Sequence, residues 1–71
     1  MTQYAIENYV CNICYEMSRI APKNYHYKVR KNQVTIYWFS NGEMHEYNFD
    51  AELYKQMLQY PANMVARMVL S

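Results

Sequence analysis

Cys11 and Cys14 stand with two residues between them, a spacing that serves two kinds of chemistry. As a redox pair, C-x-x-C wants the N-terminal end of a helix, where the dipole lowers the thiol pKa. As half of a zinc site it needs two more ligands. Here the pair falls in the middle of a helical pattern, and the two histidines, His26 and His45, alternate onto opposite faces of a sheet. The expectation is therefore two small apolar side chains flanking a helix, since free cysteine packs as a hydrophobe. No metal and no cofactor are expected.

His45 is the other reactive candidate, as a general base. No serine, cysteine or carboxylate is placed by sequence to work with it. It reads as a structural histidine hydrogen-bonded near the sheet margin. Gly42 is the single glycine, which excludes a glycine-rich phosphate loop. A carboxylate-rich metal loop and a nucleophile elbow are also absent. A chain this short has little room for a pocket beside a core. The sequence points away from an enzyme.

The elements that would position these residues follow from periodicity. Ile6, Val10, Ile13, Met17 and Ile20 recur at spacings of three and four, which predicts a helix over 3–20 with one apolar stripe. It should stop near Ala21, because the residue before Pro22 is pushed out of the helical region. Residues 24–30, 33–39 and 43–49 alternate and are rich in aromatic and β-branched types, the mark of strands. Lys31-Asn32 and Asn41-Gly42 are two-residue turns, and the second suits a type I′ hairpin.

Those turns set the register. Val29 faces Val34, Tyr27 faces Ile36 and Tyr25 faces Trp38. Across the second turn, Trp38 faces His45, Ile36 faces Tyr47 and Val34 faces Phe49. Two independent turn assignments put the apolar residues on one core face. Asp50 is a good N-cap, with Phe49 and Tyr54 at hydrophobic-staple spacing. The helix that follows presents Leu53, Tyr54, Met57 and Leu58. Pro61 kinks it or opens a new helix at a first-turn position. Met64, Val65, Met68 and Val69 continue an amphipathic pattern. The expected fold is a single small α+β domain over residues 1–71, α-β-β-β-α, with a three-stranded antiparallel meander packed on helices.

Composition bounds the class. The 71 residues suit one domain, and 52% hydrophobic content excludes disorder. Mean hydropathy is nevertheless −0.47, because the 9 tyrosines count as apolar in one index and polar in the other. A net charge of +1 makes no strong field for duplex nucleic acid or an anionic membrane. No apolar run approaches the roughly 20 residues of a membrane span. The N-terminus lacks a basic region followed by an apolar one, so it does not read as a signal peptide. With two cysteines and no disulfide scaffold, the expected compartment is the cytoplasm.

What remains is surface. The outer sheet face should carry His26, Lys28, Arg30, Thr35, Tyr37, Phe39, Met44, Glu46 and Asn48. A solvated sheet face is normally polar. Tyr37, Phe39 and Met44 make this one apolar, with Lys28 and Arg30 as a basic border, and such patches suggest a partner. The bland alternative is that the chain after Pro61 wraps round and covers them. Tyr4, Asn8, Cys11 and Tyr15 line the far side of the first helix and offer a second contact face. Lys23, Lys28, Arg30 and Lys31 gather on one edge of the meander; Glu43, Glu46, Asp50 and Glu52 gather on the other. Charged edges ordinarily protect against aggregation. They can also meet a complementary edge or partner.

The expectation is a non-enzymatic protein-binding module, a small inhibitor or adaptor of the kind phages and mobile elements often encode. The contact residues would be Tyr37, Phe39, Met44, Lys28 and Arg30, with Tyr4 and Tyr15 as a second surface. Two alternatives are single-stranded nucleic-acid binding on the outer sheet face and a homodimeric structural module.

Overall fold

The computed structural model describes residues 2–71. Met1, where the N-terminal reading begins, lies outside them.

Helix α1 runs over Gln3–Ile20. Thr2 starts it, its Oγ1 accepting the Ala5 N–H at 3.1 Å. Ala21, held extended ahead of Pro22, ends it. Ile6, Val10, Ile13 and Met17 are buried as a stripe, joined by Cys14. Ile20, expected on that stripe, is 52% exposed. Ile20 is the last residue of α1, and the nine-residue helix packed against α1 spans about 13 Å, too short to cover all of α1's roughly 27 Å. One end of the stripe is left without cover.

Strands β1 (His26–Arg30), β2 (Gln33–Ser40) and β3 (Glu43–Phe49) form an antiparallel sheet in the order β1-β2-β3. The pairs Val29–Val34, Tyr27–Ile36, Trp38–His45, Ile36–Tyr47 and Val34–Phe49 are as the turns require. At the second hairpin Asn41 (φ 54°) and Gly42 (φ 79°) are both left-handed, the type I′ condition. At the first, only Asn32 (φ 55°) is. The β1 ladder begins at His26, two residues later than the expected 24. Tyr25 stands outside it but still meets Trp38 edge-on, ring centroids 5.4 Å apart. Its hydroxyl donates to the Ala21 carbonyl at 2.6 Å, closing the α1–β1 connection.

Helix α2 covers Ala51–Met57, with Asp50 Oδ1 accepting the Leu53 N–H at 3.0 Å. Met57 is buried, while Leu53 sits at the exposed margin. Pro61 then separates a third helix, α3, over Ala62–Leu70. Its carbonyl accepts from Met64 (3.0 Å) and Val65 (3.2 Å), so Pro61 is the N-cap residue and not the first helical one. The order is α-β-β-β-α-α.

α3 packs on α1, away from the outer sheet face. Val65, Ala66 and Val69 are buried, whereas Met64 and Met68, expected on the apolar side, are exposed. Small residues let α3 approach α1 closely, and the bulkier methionine stripe turns outward. Tyr9 fixes the junction: its hydroxyl donates to the carbonyls of Met57 (2.7 Å) and Tyr60, tying the end of α2 and the start of α3 to α1. Among the described residues, the twelve buried apolar side chains join one core between the inner sheet face and the helices. Among the described residues no helix is long and apolar enough to cross a membrane.

The hairpin gives a clean test of backbone preference. A Cβ added at Gly42 meets nothing within 4 Å. Gly42→Ala should therefore lose only the left-handed backbone preference, about 1–2 kcal/mol. In a domain this size that lowers the thermal midpoint by about 4–8 °C per kcal/mol. An unchanged midpoint in a calorimetric scan would contradict the turn assignment.

Candidate functional site

The outer sheet face is built by alternation. His26, Lys28 and Arg30 of β1 stand beside Tyr37, Thr35 and Gln33 of β2, and Met44, Glu46 and Asn48 of β3 stand beside Phe39, Tyr37 and Thr35. Lys28, Arg30, Tyr37, Phe39 and Met44 thus share one side of the sheet. Among the described residues no helix covers them, since α1 and α2 pack on the inner face and α3 packs on α1.

The face is not uniform. Phe39 and Met44, a directly opposed pair, are 57% and 56% exposed. Phe39 has no β1 neighbour on its other side, because the ladder begins opposite Tyr37. That leaves its ring edge bare. Tyr37 is half-buried: the His26 ring stacks on it at 5.2 Å, and Lys28 Nζ lies 5.6 Å from its ring centroid. Such a cation over an aromatic face contributes on the order of 0.5–1 kcal/mol at an exposed site. Thr35 Oγ1 donates to Asn48 Oδ1 at 3.0 Å, a polar brace between β2 and β3. Arg30 lies level with Gln33, roughly 20 Å along the strand from Phe39. The face therefore has an apolar end, an aromatic–cation middle and a basic end, in place of a patch with a basic rim.

Tyr4 (80% exposed) and Tyr15 (61%), with Cys11 and Asn8, do line one side of α1. Because α1 packs against the inner sheet face, this stripe and the Phe39 end are separate surfaces.

His45 lies on the inner face opposite Trp38, as the register requires. It is exposed, and it stacks on Trp38 at 5.9 Å with an interplanar angle of 15°. Its expected hydrogen bond is replaced by this stack. Tyr25, Trp38 and His45 form an aromatic row across the hairpin end of the inner face, where the helices give only partial cover. The register could place these three together; where the helices stop is a matter of packing, which alternation does not report.

The cysteines divide. Cys11 is exposed and Cys14 is buried against the core. Burial, with Cys11 beside it, pushes the Cys14 thiol up from 9.0 to about 11. That disfavours the thiolate needed for redox chemistry or metal binding. Among the described residues no cluster of three His, Cys, Asp or Glu side chains could hold a metal ion. His26 and His45 project from opposite faces. Two results follow. Iodoacetamide at neutral pH should modify Cys11 alone, with Cys14 reacting only after denaturation; modification of both in the native protein would contradict this packing. Stability should also decline in base. The contribution of neutral Cys14 is complete below pH 9, its unfolded value, and is lost as pH rises through about 11. Tyr9, raised by burial, acts in the same direction. Urea midpoints between pH 8 and 11 check the trend, and Cys14→Val should flatten it.

No family model, curated protein or solved structure matches the chain.

Proposed function

We propose that this chain is a non-enzymatic protein-binding module, an inhibitor or adaptor working in the cytoplasm, that occupies a partner surface with its outer sheet face. One observation carries the reading. Phe39 and Met44 hold more than half their surface in water although the chain has three helices with which to cover them. Apolar side chains left together on an open sheet face are characteristic of contact surfaces. Aromatic residues and methionine are the types enriched at interface cores.

Nucleic-acid binding is the weaker reading. A base-stacking platform needs free aromatic faces along a cationic track. Here Tyr37 already carries His26 and Lys28, and Glu43 and Glu46 flank Met44 on β3. Self-association would use α1 or the outer sheet face and has no observation of its own.

The test is affinity purification from the native host with mass spectrometry, using the wild-type chain and Met44→Lys as baits. A protein captured by the first and lost by the second, with unchanged circular dichroism, supports the reading. Equal capture by both overturns it. A gel shift at low salt and sedimentation at micromolar concentration separate the alternatives: a complex with single-stranded DNA, or a dimer, favours one of them.

A further inference from the structure

We propose that the free edge of β1 takes an extended, acidic segment of a partner protein as a fourth strand. The inference rests on the protein-binding reading and names the chemistry of the partner. Among the described residues β1 pairs only with β2. Its two-residue loop makes Arg30 and Gln33 a hydrogen-bonded pair. Alternation then directs the N–H and C=O groups of Tyr27 and Val29 away from β2, to the open edge. These are the groups an added strand would use.

Charge selects the occupant. All six carboxylates of the chain lie outside residues 17–42, while Lys23, Lys28, Arg30 and Lys31 lie within that stretch. Among the described residues the one ion pair is Arg19–Glu16, so these four cations are unpaired. A second copy suits this edge poorly. Antiparallel pairing of β1 with β1 sets Lys28 and Arg30 against their own kind, and like charges opposed across strands are destabilising. Pairing with the acidic β3 edge of another copy is head-to-tail, so it builds a ring or an open filament and not a two-fold dimer. A foreign acidic strand meets neither difficulty.

The two faces of the edge differ, which constrains the segment further. Lys28 and Arg30 project to the outer side. Tyr27 and Val29 project to the inner side, where Glu7 of α1 is near enough to raise the Tyr27 hydroxyl pKa, after burial and Cys11. The fitting segment alternates, with carboxylates outward and neutral or apolar side chains inward.

The probe is a short acetylated and amidated peptide alternating valine and glutamate, labelled for fluorescence anisotropy. Binding is expected to weaken with added salt. Lys28→Glu/Arg30→Glu should weaken it by about tenfold or more. N-methylation of the peptide at alternate residues distinguishes strand addition from charge attraction. One of the two alternating patterns should abolish binding and the other spare it; equal behaviour of the two overturns the proposal. Val29→Pro removes an edge-facing N–H without touching the β1–β2 ladder and should also abolish binding. If that variant fails to fold, the methylated peptides still decide. Equal competition by oligo-dT of matched charge, or self-association lost in Lys28→Glu/Arg30→Glu, overturns the assignment in favour of a polyanion or a second copy. Peptide binding should survive in Met44→Lys. If the peptide fails while host capture still depends on Met44, the edge proposal falls and the protein-binding reading stands.

Discussion

Replacing Tyr37 and Phe39 together by alanine should cut partner affinity by about a thousandfold and leave a folded domain. Truncating a buried aromatic anchor at an interface typically costs about 2 kcal/mol or more, and two such losses make about 4 kcal/mol, three orders of magnitude in Kd. The two rings act differently. Phe39 stands more than half in water with one edge bare, so its area is available to a partner. Tyr37 is half-buried and serves as the platform on which His26 and Lys28 rest. Its loss frees both cationic-side neighbours and so blurs the middle of the face. The cost to folding is smaller, because neither ring belongs to the core. Strand propensity spans about 1 kcal/mol per site, so the two sites together lower the midpoint by about 8–16 °C. Titration calorimetry with the captured partner, beside circular dichroism of both proteins, measures the two effects. An unchanged Kd would remove the outer face from the binding account.

The sheet was legible because each hairpin carries its own instruction. Asn41-Gly42 supplies two residues that tolerate positive φ, and Asn32 supplies one at the first turn. A two-residue loop leaves no freedom of register, so the opposition of Ile36 to both Tyr27 and Tyr47 follows from sequence alone. The helices were legible as periodic stripes, with Asp50 and Pro22 marking ends. Their partners were not. On α3, both Ala62-Val65-Ala66-Val69 and Met64-Val65-Met68-Val69 are sound helical stripes, and hydrophobicity favours the second. Close approach to α1 selects the first, because alanine admits a backbone where methionine does not. The Tyr9 clamp joins residues 48 and 51 positions apart and has no local signature. For the candidate surface, alternation placed Lys28, Arg30, Tyr37, Phe39 and Met44 on one side. It could not show that Tyr37 is occupied by its own neighbours, since stacking depends on rotamers.

Two isoleucines that look alike in the sequence pattern should respond in opposite ways to truncation. Ile36, on the central strand, is fully buried between the helices and its neighbours on β1 and β3. Ile36→Ala leaves a cavity as well as lost transfer energy, about 2–5 kcal/mol. A domain of this length has roughly 4–10 kcal/mol of total stability, so the variant should lose a large share of it, lowering the midpoint by about 8–40 °C. Ile20 closes the same periodic stripe as Met17 but ends α1 and is solvent-exposed. Alanine is a better helix former than isoleucine by a few tenths of a kcal/mol. Ile20→Ala should therefore leave the midpoint unchanged or raise it slightly. Urea denaturation of the two variants side by side reads the difference directly. Comparable losses would mean that α1 is covered along its whole length, which would require α3 to pack differently. Because α3 packed on α1 leaves the outer sheet face open, the same pair of variants tests the premise of the proposed contact surface.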